Sequence, residues 1–178
     1  SIEGDFSLDN PSTPGGGALP GGIGWYRKTF TLPETDRDKV IYVDFDGVYR
    51  NSEVWINGHS LGFRPNGYVS FRYDLTPYLR YGSQPNVIAV KADNSEQPNS
   101  RWYSGSGIYR NVWLVKVNPV HVDNWGTFVH DMKISSEEAT FALEVRIRNS
   151  SEADREAEVS TSIYNDRNKV VTASVTTL

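Results

Sequence analysis

The chain has 178 residues, a formal charge of −4, 38% hydrophobic residues and no cysteine. That length suits one large β domain or two small ones, and the missing thiols exclude a disulfide scaffold, a cysteine nucleophile and a Cys-ligated metal. The acidic balance offers no basic footprint for nucleic acid or an anionic membrane surface, and no apolar run approaches the roughly 18 residues of a membrane span.

Valine (18) doubles leucine (9), which favours strands over helices. Residues up to Gly24 read as loop, because Pro14 to Gly17 and Leu19 to Gly22 offer little side chain to bury and much backbone freedom. Strand-like runs follow at 25–32, 39–45, 53–56, 60–63, 68–73, 86–92 and 107–117. In the second of these Val40, Tyr42, Asp44 and Asp46 alternate with Ile41, Val43, Phe45 and Gly47, so one face is the more apolar. Asn57-Gly58 is the strongest hairpin signal, since a type I′ turn needs positive φ at both central residues. Residues 74–79 read as a short helical turn, capped by Asp74 or Thr76, with Pro77 in the first turn. About seven strands and almost no helix point to a jelly-roll sandwich, which takes eight; one strand is expected upstream of Ser1.

Asn118-Pro119 marks a boundary, because the residue before proline is pushed to extended conformations. Charge changes there too: residues 1–118 carry 12 basic and 12 acidic side chains, residues 119–178 carry 6 and 10. The second part has strands at 120–129, 140–148, 156–164 and 170–176, with turn signals at Asn149-Ser-Ser151 and Asn165-Asp166. Phe141, Leu143, Val145 and Ile147 alternate with Ala142, Glu144, Arg146 and Arg148, as in a sandwich strand with one wet face. The spacing suits an immunoglobulin-like sandwich, and residues 119–178 fall short of the roughly 100 such a domain needs.

No catalytic set stands out in this chain. His59, His121 and His130 lack metal-ligand spacing such as HExxH. Asp44 and Asp46 share a strand face but lack the later ligands of a calcium loop, so no metal residue is assigned. Glu137 and Glu138 are adjacent, and strand neighbours point to opposite faces, so they do not supply the facing carboxyl pair of a retaining glycosidase. The richest stretch runs from Asp93 to Arg110, some fourteen loop residues between two strong strands, longer than compact domains carry without reason. With Arg101, Trp102 and Tyr103 the stretch offers stacking rings, a guanidinium fork and several short hydrogen-bonding side chains, the mixture that suits sugars. A second reading stands beside it: Trp102 and Tyr103 plug the end of the sandwich and Arg101 pairs locally.

Arg101-Trp-Tyr-Ser-Gly-Ser-Gly-Ile-Tyr-Arg-Asn-Val-Trp113 resembles the segment that closes the N-terminal sugar-binding domain of family 2 glycoside hydrolases, the β-galactosidase, β-glucuronidase and β-mannosidase group. Gly24-Trp-Tyr-Arg-Lys-Thr-Phe30, the stretch from Asp44 to Gly58, and Tyr73-Asp-Leu-Thr76 are similar to other segments of that domain, in the same order. The resemblance covers about residues 1–130, and its Ser-Gly-Ser-Gly variant looks most like the β-galactosidase branch.

It implies an all-β chain: a jelly-roll (galactose-binding-like) sandwich at 1–118, lacking its first strand, then a truncated immunoglobulin-like sandwich at 119–178. It also implies a parent enzyme whose two catalytic glutamates sit on a TIM barrel. No residue here matches either, so no catalytic residue is expected in this chain. The loop would complete the pocket for a β-linked galactoside or related oligosaccharide. Arg101 and Asn94 would bond the sugar's hydroxyls, and Trp102 or Tyr103 would wall the pocket. Arginine at 101 departs from some relatives, which carry an acidic residue nearby. The other implied partner is the barrel of the same polypeptide. No cofactor is expected in this part, a divalent or monovalent cation belonging to the rest of the parent, and a periplasmic or secreted bacterial location is expected. The alternatives are a β-glucuronidase or β-mannosidase relative, a free-standing carbohydrate-binding module, and a structural domain whose loop packs against a neighbour.

Overall fold

A computed structural model of the chain describes residues 7–10, 18, 20–96 and 104–178. The chain divides into two compact units, Ser1–Lys116 and Val117–Leu178. Among the described residues the architecture is all-β, its helical content limited to 3-10 turns at Glu34–Asp36 and Thr76–Tyr78. Among the described residues no helix is long and apolar enough to cross a membrane.

The first unit is a β-sandwich. β1 (Gly22–Phe30), β7 (Asn86–Asn94), β4 (Ser52–Ile56) and β5 (His59–Arg64) form an antiparallel sheet in the order β1-β7-β4-β5. β2 (Val40–Phe45) lies between β6 (Phe71–Asp74) and β9 (Val112–Val117) in a second sheet, and β3 (Val48–Tyr49) pairs with β8 (Gly107–Ile108). Strand alternation sends Val54, Ile56, Val90 and Ala92 inward from the first sheet. Val43, Phe45 and Tyr73 meet them from the second, and with Val48 and Leu75 they make one buried cluster. Each such large aliphatic or aromatic side chain contributes about 1.5–3 kcal/mol by leaving water.

The Asn57-Gly58 turn forms as its chemistry dictates, with φ of 50° and 88°. Its side chain is also tertiary glue. The Asn57 amide donates to Tyr78 O and to Asn86 Oδ1, each at 2.8 Å, and its carbonyl accepts the Val87 amide at 2.9 Å. In the turn at residues 74–79, the Asp74 carboxylate accepts the Thr76 amide at 2.8 Å, while Thr76 Oγ1 accepts the Ile41 amide at 2.9 Å.

In β2 Ile41, Val43 and Phe45 form the more apolar face as expected, and Val40 and Tyr42 on the other face are buried as well. Asp44 is tolerated there because Arg72, opposite it on β6, clamps it through Nε–Oδ1 at 2.6 Å and Nη2–Oδ2 at 2.7 Å, and lies 4.7 Å over the Tyr42 ring. The strand expected at 68–73 begins only at Phe71, since Asn66 Oδ1 captures the Tyr68 amide in a local turn. The strand expected at 107–117 is two, because β8 pairs with β3 and β9 joins β2 in the other sheet.

The second unit consists of two antiparallel hairpins, β10 (Val120–Ile134) with β11 (Ala139–Asn149), and β12 (Glu158–Tyr164) with β13 (Val170–Thr177). β10 runs five residues beyond its expected end and carries an irregularity between Val122 and Thr127, where Trp125 adopts φ of 55°. Phe141, Leu143 and Val145 share a face as the alternation demands. With Val129, Val159 and Ile163 they line an open cleft of about 730 Å³. Phe141 stays 45% exposed and Leu143 39%.

The two kinds of apolar face differ in stability, which urea titration of tryptophan fluorescence measures. Ile56→Ala, at a fully buried site, is expected to cost about 2–5 kcal/mol. Ile134→Ala, at 62% exposure, is expected to cost under about 0.5 kcal/mol.

Candidate functional site

The connection from β7 to β8 leaves the sandwich beside β3. Arg101, Trp102 and Tyr103 lie outside the described residues; the stems that carry them are described on both sides. The first stem is built on β7. Asn94, the last residue of that strand, is 1% exposed, and its amide donates to Ser106 Oγ on the second stem at 2.8 Å. A buried amide must find partners or lose about 1–3 kcal/mol, so this bond ties the two ends of the loop together. The structure thus makes Asn94 a buried tether between the two stems.

Asp93 points to the other side of β7 and organises the next residues. Its Oδ1 accepts the Ser95 hydroxyl at 2.6 Å and the Ser95 amide at 3.1 Å, and Lys91 Nζ lies 3.5 Å from Oδ2. The Ser95 hydroxyl, then the Ser95 amide and the Lys91 charge, hold the Asp93 carboxyl below its ordinary value against a smaller opposing effect of burial.

β3 and the turn after it form the floor. The Arg50 carbonyl accepts the Asp93 amide at 2.9 Å and the Asn51 amide side chain donates to Asp93 O at 3.2 Å. Arg50 Nη2 donates to Glu96 O at 3.1 Å and lies 3.3 Å from Glu96 Oε2, fixing the point where the loop departs. Among the described residues its Nε is buried without a hydrogen-bond partner.

On the second stem Ser104 hydrogen-bonds the Tyr49 hydroxyl, and burial, opposed by that bond, pushes the Tyr49 phenol above its ordinary value. The Tyr49 and Tyr68 rings meet at 5.2 Å. Tyr26 Oη accepts the Ile108 amide at 3.2 Å. Gly107 has φ of 94°, and a Cβ there would collide with the Tyr26 hydroxyl, so the stem closes only on glycine.

The arrangement is a rigid, neutral, hydroxyl-rich seat for a loop. The other candidates go elsewhere. His59 stacks on Tyr78 at 4.7 Å, His121 Nδ1 lies 2.8 Å from Asn118 O, and His130 packs on Phe128 at 5.1 Å. Asp46, two residues from the Arg72-bound Asp44, accepts the Trp113 indole N–H at 3.0 Å. Glu138 pairs with Lys133. Sequence reasoning missed Tyr26, Tyr49, Arg50 and Ser106 as parts of the seat. Ser106 stood inside the Ser-Gly-Ser-Gly motif that drew attention, whereas Arg50 carried no local signal; only the β3–β8 pairing brings it to residues far along the chain.

A family model described as glycosyl hydrolases family 2, sugar binding domain, matches residues 8–118. The chain is 55% identical over 171 residues, 96% of its length, to 20% of the beta-galactosidase BoGH2A of Bacteroides ovatus. It is 34% identical over 173 residues, 86% of its length, to 18% of a beta-glucuronidase of Formosa agariphila. A crystal structure of a beta-glycosidase from Bacteroides vulgatus superposes with a TM-score of 0.89 at 43% identity, over 97% of this chain and 22% of that one. The chain spans about a fifth of the length of these relatives.

Two measurements test the seat. Asn94→Ala is expected to lower stability by about 1–3 kcal/mol and to speed tryptic cleavage after Arg101; an unchanged cleavage rate contradicts the tether. Asp93 is depressed in the folded state, so its stabilisation is present above the unfolded aspartate value of about 3.9 and is lost as pH falls through the lower folded value. The Tm gap between the chain and Asp93→Asn is therefore expected to be full at neutral pH and to close only below about pH 4.

Proposed function

This chain belongs to glycosyl hydrolase family 2, and from that premise we propose that it is the non-catalytic N-terminal part of a retaining β-galactosidase-type enzyme whose loop completes the sugar pocket of a catalytic barrel. The identity of 55% across 171 residues to a beta-galactosidase carries this reading. The chemistry agrees with it. The described residues offer a seat for the loop and hydrogen-bonding groups around it.

In this reading the acid/base and nucleophilic glutamates belong to the barrel. Arg101 donates to hydroxyls of the nonreducing sugar, and Trp102 or Tyr103 covers the apolar face of its ring. Asn94 and Ser106 keep the loop from swinging away, and Arg50 fixes its exit through Glu96. Holding donors in place before substrate arrives is what lets them favour the transition state rather than the ground state.

A second reading, a β-glucuronidase, is favoured by the identity of 34% over 173 residues to such an enzyme. The two differ in the charge of the sugar, neutral against anionic. Nitrophenyl galactoside and nitrophenyl glucuronide, offered to the enzyme that contains this chain, separate them. The galactosidase reading expects preferential hydrolysis of the galactoside, and a preference for the glucuronide overturns it. Arg101→Ala in that enzyme is expected to cost about 2–4 kcal/mol in kcat/KM. The 178-residue chain alone is expected to hydrolyse neither substrate.

A further inference from the structure

The four-stranded sheet turns Tyr26, Val54, Ile56, Val90 and Ala92 towards the core. Their strand neighbours therefore form the opposite face. That face carries Trp25 on β1 and Trp55 on β4, with Ala89 of β7 in register with Trp55. The small alanine between them lets the two indoles lean together, their ring centroids 5.4 Å apart and planes 27° from parallel. Trp25 nonetheless remains 63% exposed. Beside the rings Lys91 is in register with both Trp25 and Glu53. Its Nζ lies 3.3 Å from Glu53 Oε1 and 3.5 Å from Asp93 Oδ2. Arg27 is in register with Ala89 on the same face.

We propose that this face, carried by strand residues and not by Arg101, Trp102 or Tyr103, is a second sugar-binding surface that takes a neutral β-linked oligosaccharide, with one sugar ring lying on Trp25. The chemistry selects the ligand. A pyranose presents an apolar C–H face to the indole and hydroxyls at its rim, where the Glu53–Lys91–Asp93 group holds oriented donors and acceptors. Glu53 and Asp93 balance Lys91 and Arg27, so the face favours neither an anionic nor a cationic ligand. A protein partner fits less well, since the core of a protein interface is depleted of charge, whereas here charged side chains adjoin the rings directly. The stacked indoles and mutually paired charges are already fixed, which lowers the ordering cost that a weakly held ligand must overcome.

The test uses the 178-residue chain. Galactohexaose, cellohexaose and mannohexaose, all β-1,4-linked, are titrated against tryptophan fluorescence, with affinity electrophoresis in gels containing the corresponding polysaccharides. At least one probe is expected to bind, with Trp25→Ala weakening it about tenfold or more and Trp25→Phe restoring most of the loss. Ile134→Ala, on the second unit, is expected to leave this binding unchanged, and the assay involves no hydrolysis, so failure here and failure of the glycosidase reading are separable. Trp25 is exposed, and matching circular dichroism of the variants verifies folding. The proposal is overturned if no probe binds at about 10 mM, or if Trp25→Ala binds as well as the parent. It is equally overturned if sedimentation shows self-association that Trp25→Ala abolishes while no sugar is retained, because the face then serves a second copy.

Discussion

A buried amide side chain must satisfy its hydrogen bonds or destabilise the fold, and β7 carries such an amide at each end. Asn86 is fully buried; it accepts the Arg80 amide and donates to Arg80 O, both at 2.8 Å, and receives Asn57 from the hairpin turn. Asn94, 1% exposed, reaches Ser106. One asparagine locks the strand to the turns at its start, and the other locks it to the loop at its end. Between them Val90 and Ala92 enter the core, while Ala89, Lys91 and Asp93 lie on the opposite face. The position of the loop, the packing of the sandwich and the aromatic face all follow from holding this strand in place.

What the sequence made legible was whatever depends on neighbours in the chain. The Asn57-Gly58 turn, the alternation of β11 and the length of the loop after Asn94 could all be read without a structure, because turn geometry and strand period are local. The both-sided burial of β2 could not. Asp44 and Tyr42 look like a wet face until Arg72, from a strand 28 residues away, neutralises one and covers the other. The seat of the loop was hidden for the same reason. Tyr26 and Ile108 are separated by 82 residues, and no spacing rule connects them. Of the site residues chosen from sequence, Asn94 is the one described, and it is buried as a tether between the stems, a depth that composition does not encode.

The two units use their apolar residues differently. In the first, strand faces close on one another, so side chains such as Val54 and Ile56 reach zero exposure. In the second, two hairpins present matching apolar faces that remain open along their cleft. The chemistry-bearing residues accordingly concentrate in the first unit, where a packed core can hold side chains to the tolerances that recognition demands.

The central proposal is that Arg101, carried by a tethered loop, touches a specific hydroxyl of the sugar in an enzyme that contains this chain. A thermodynamic cycle between Arg101→Ala and a set of nitrophenyl galactosides, each lacking one hydroxyl, tests it most directly. The account predicts that for one hydroxyl the two losses in kcat/KM overlap, with a coupling of about 1–3 kcal/mol. Strict additivity at every hydroxyl would contradict it.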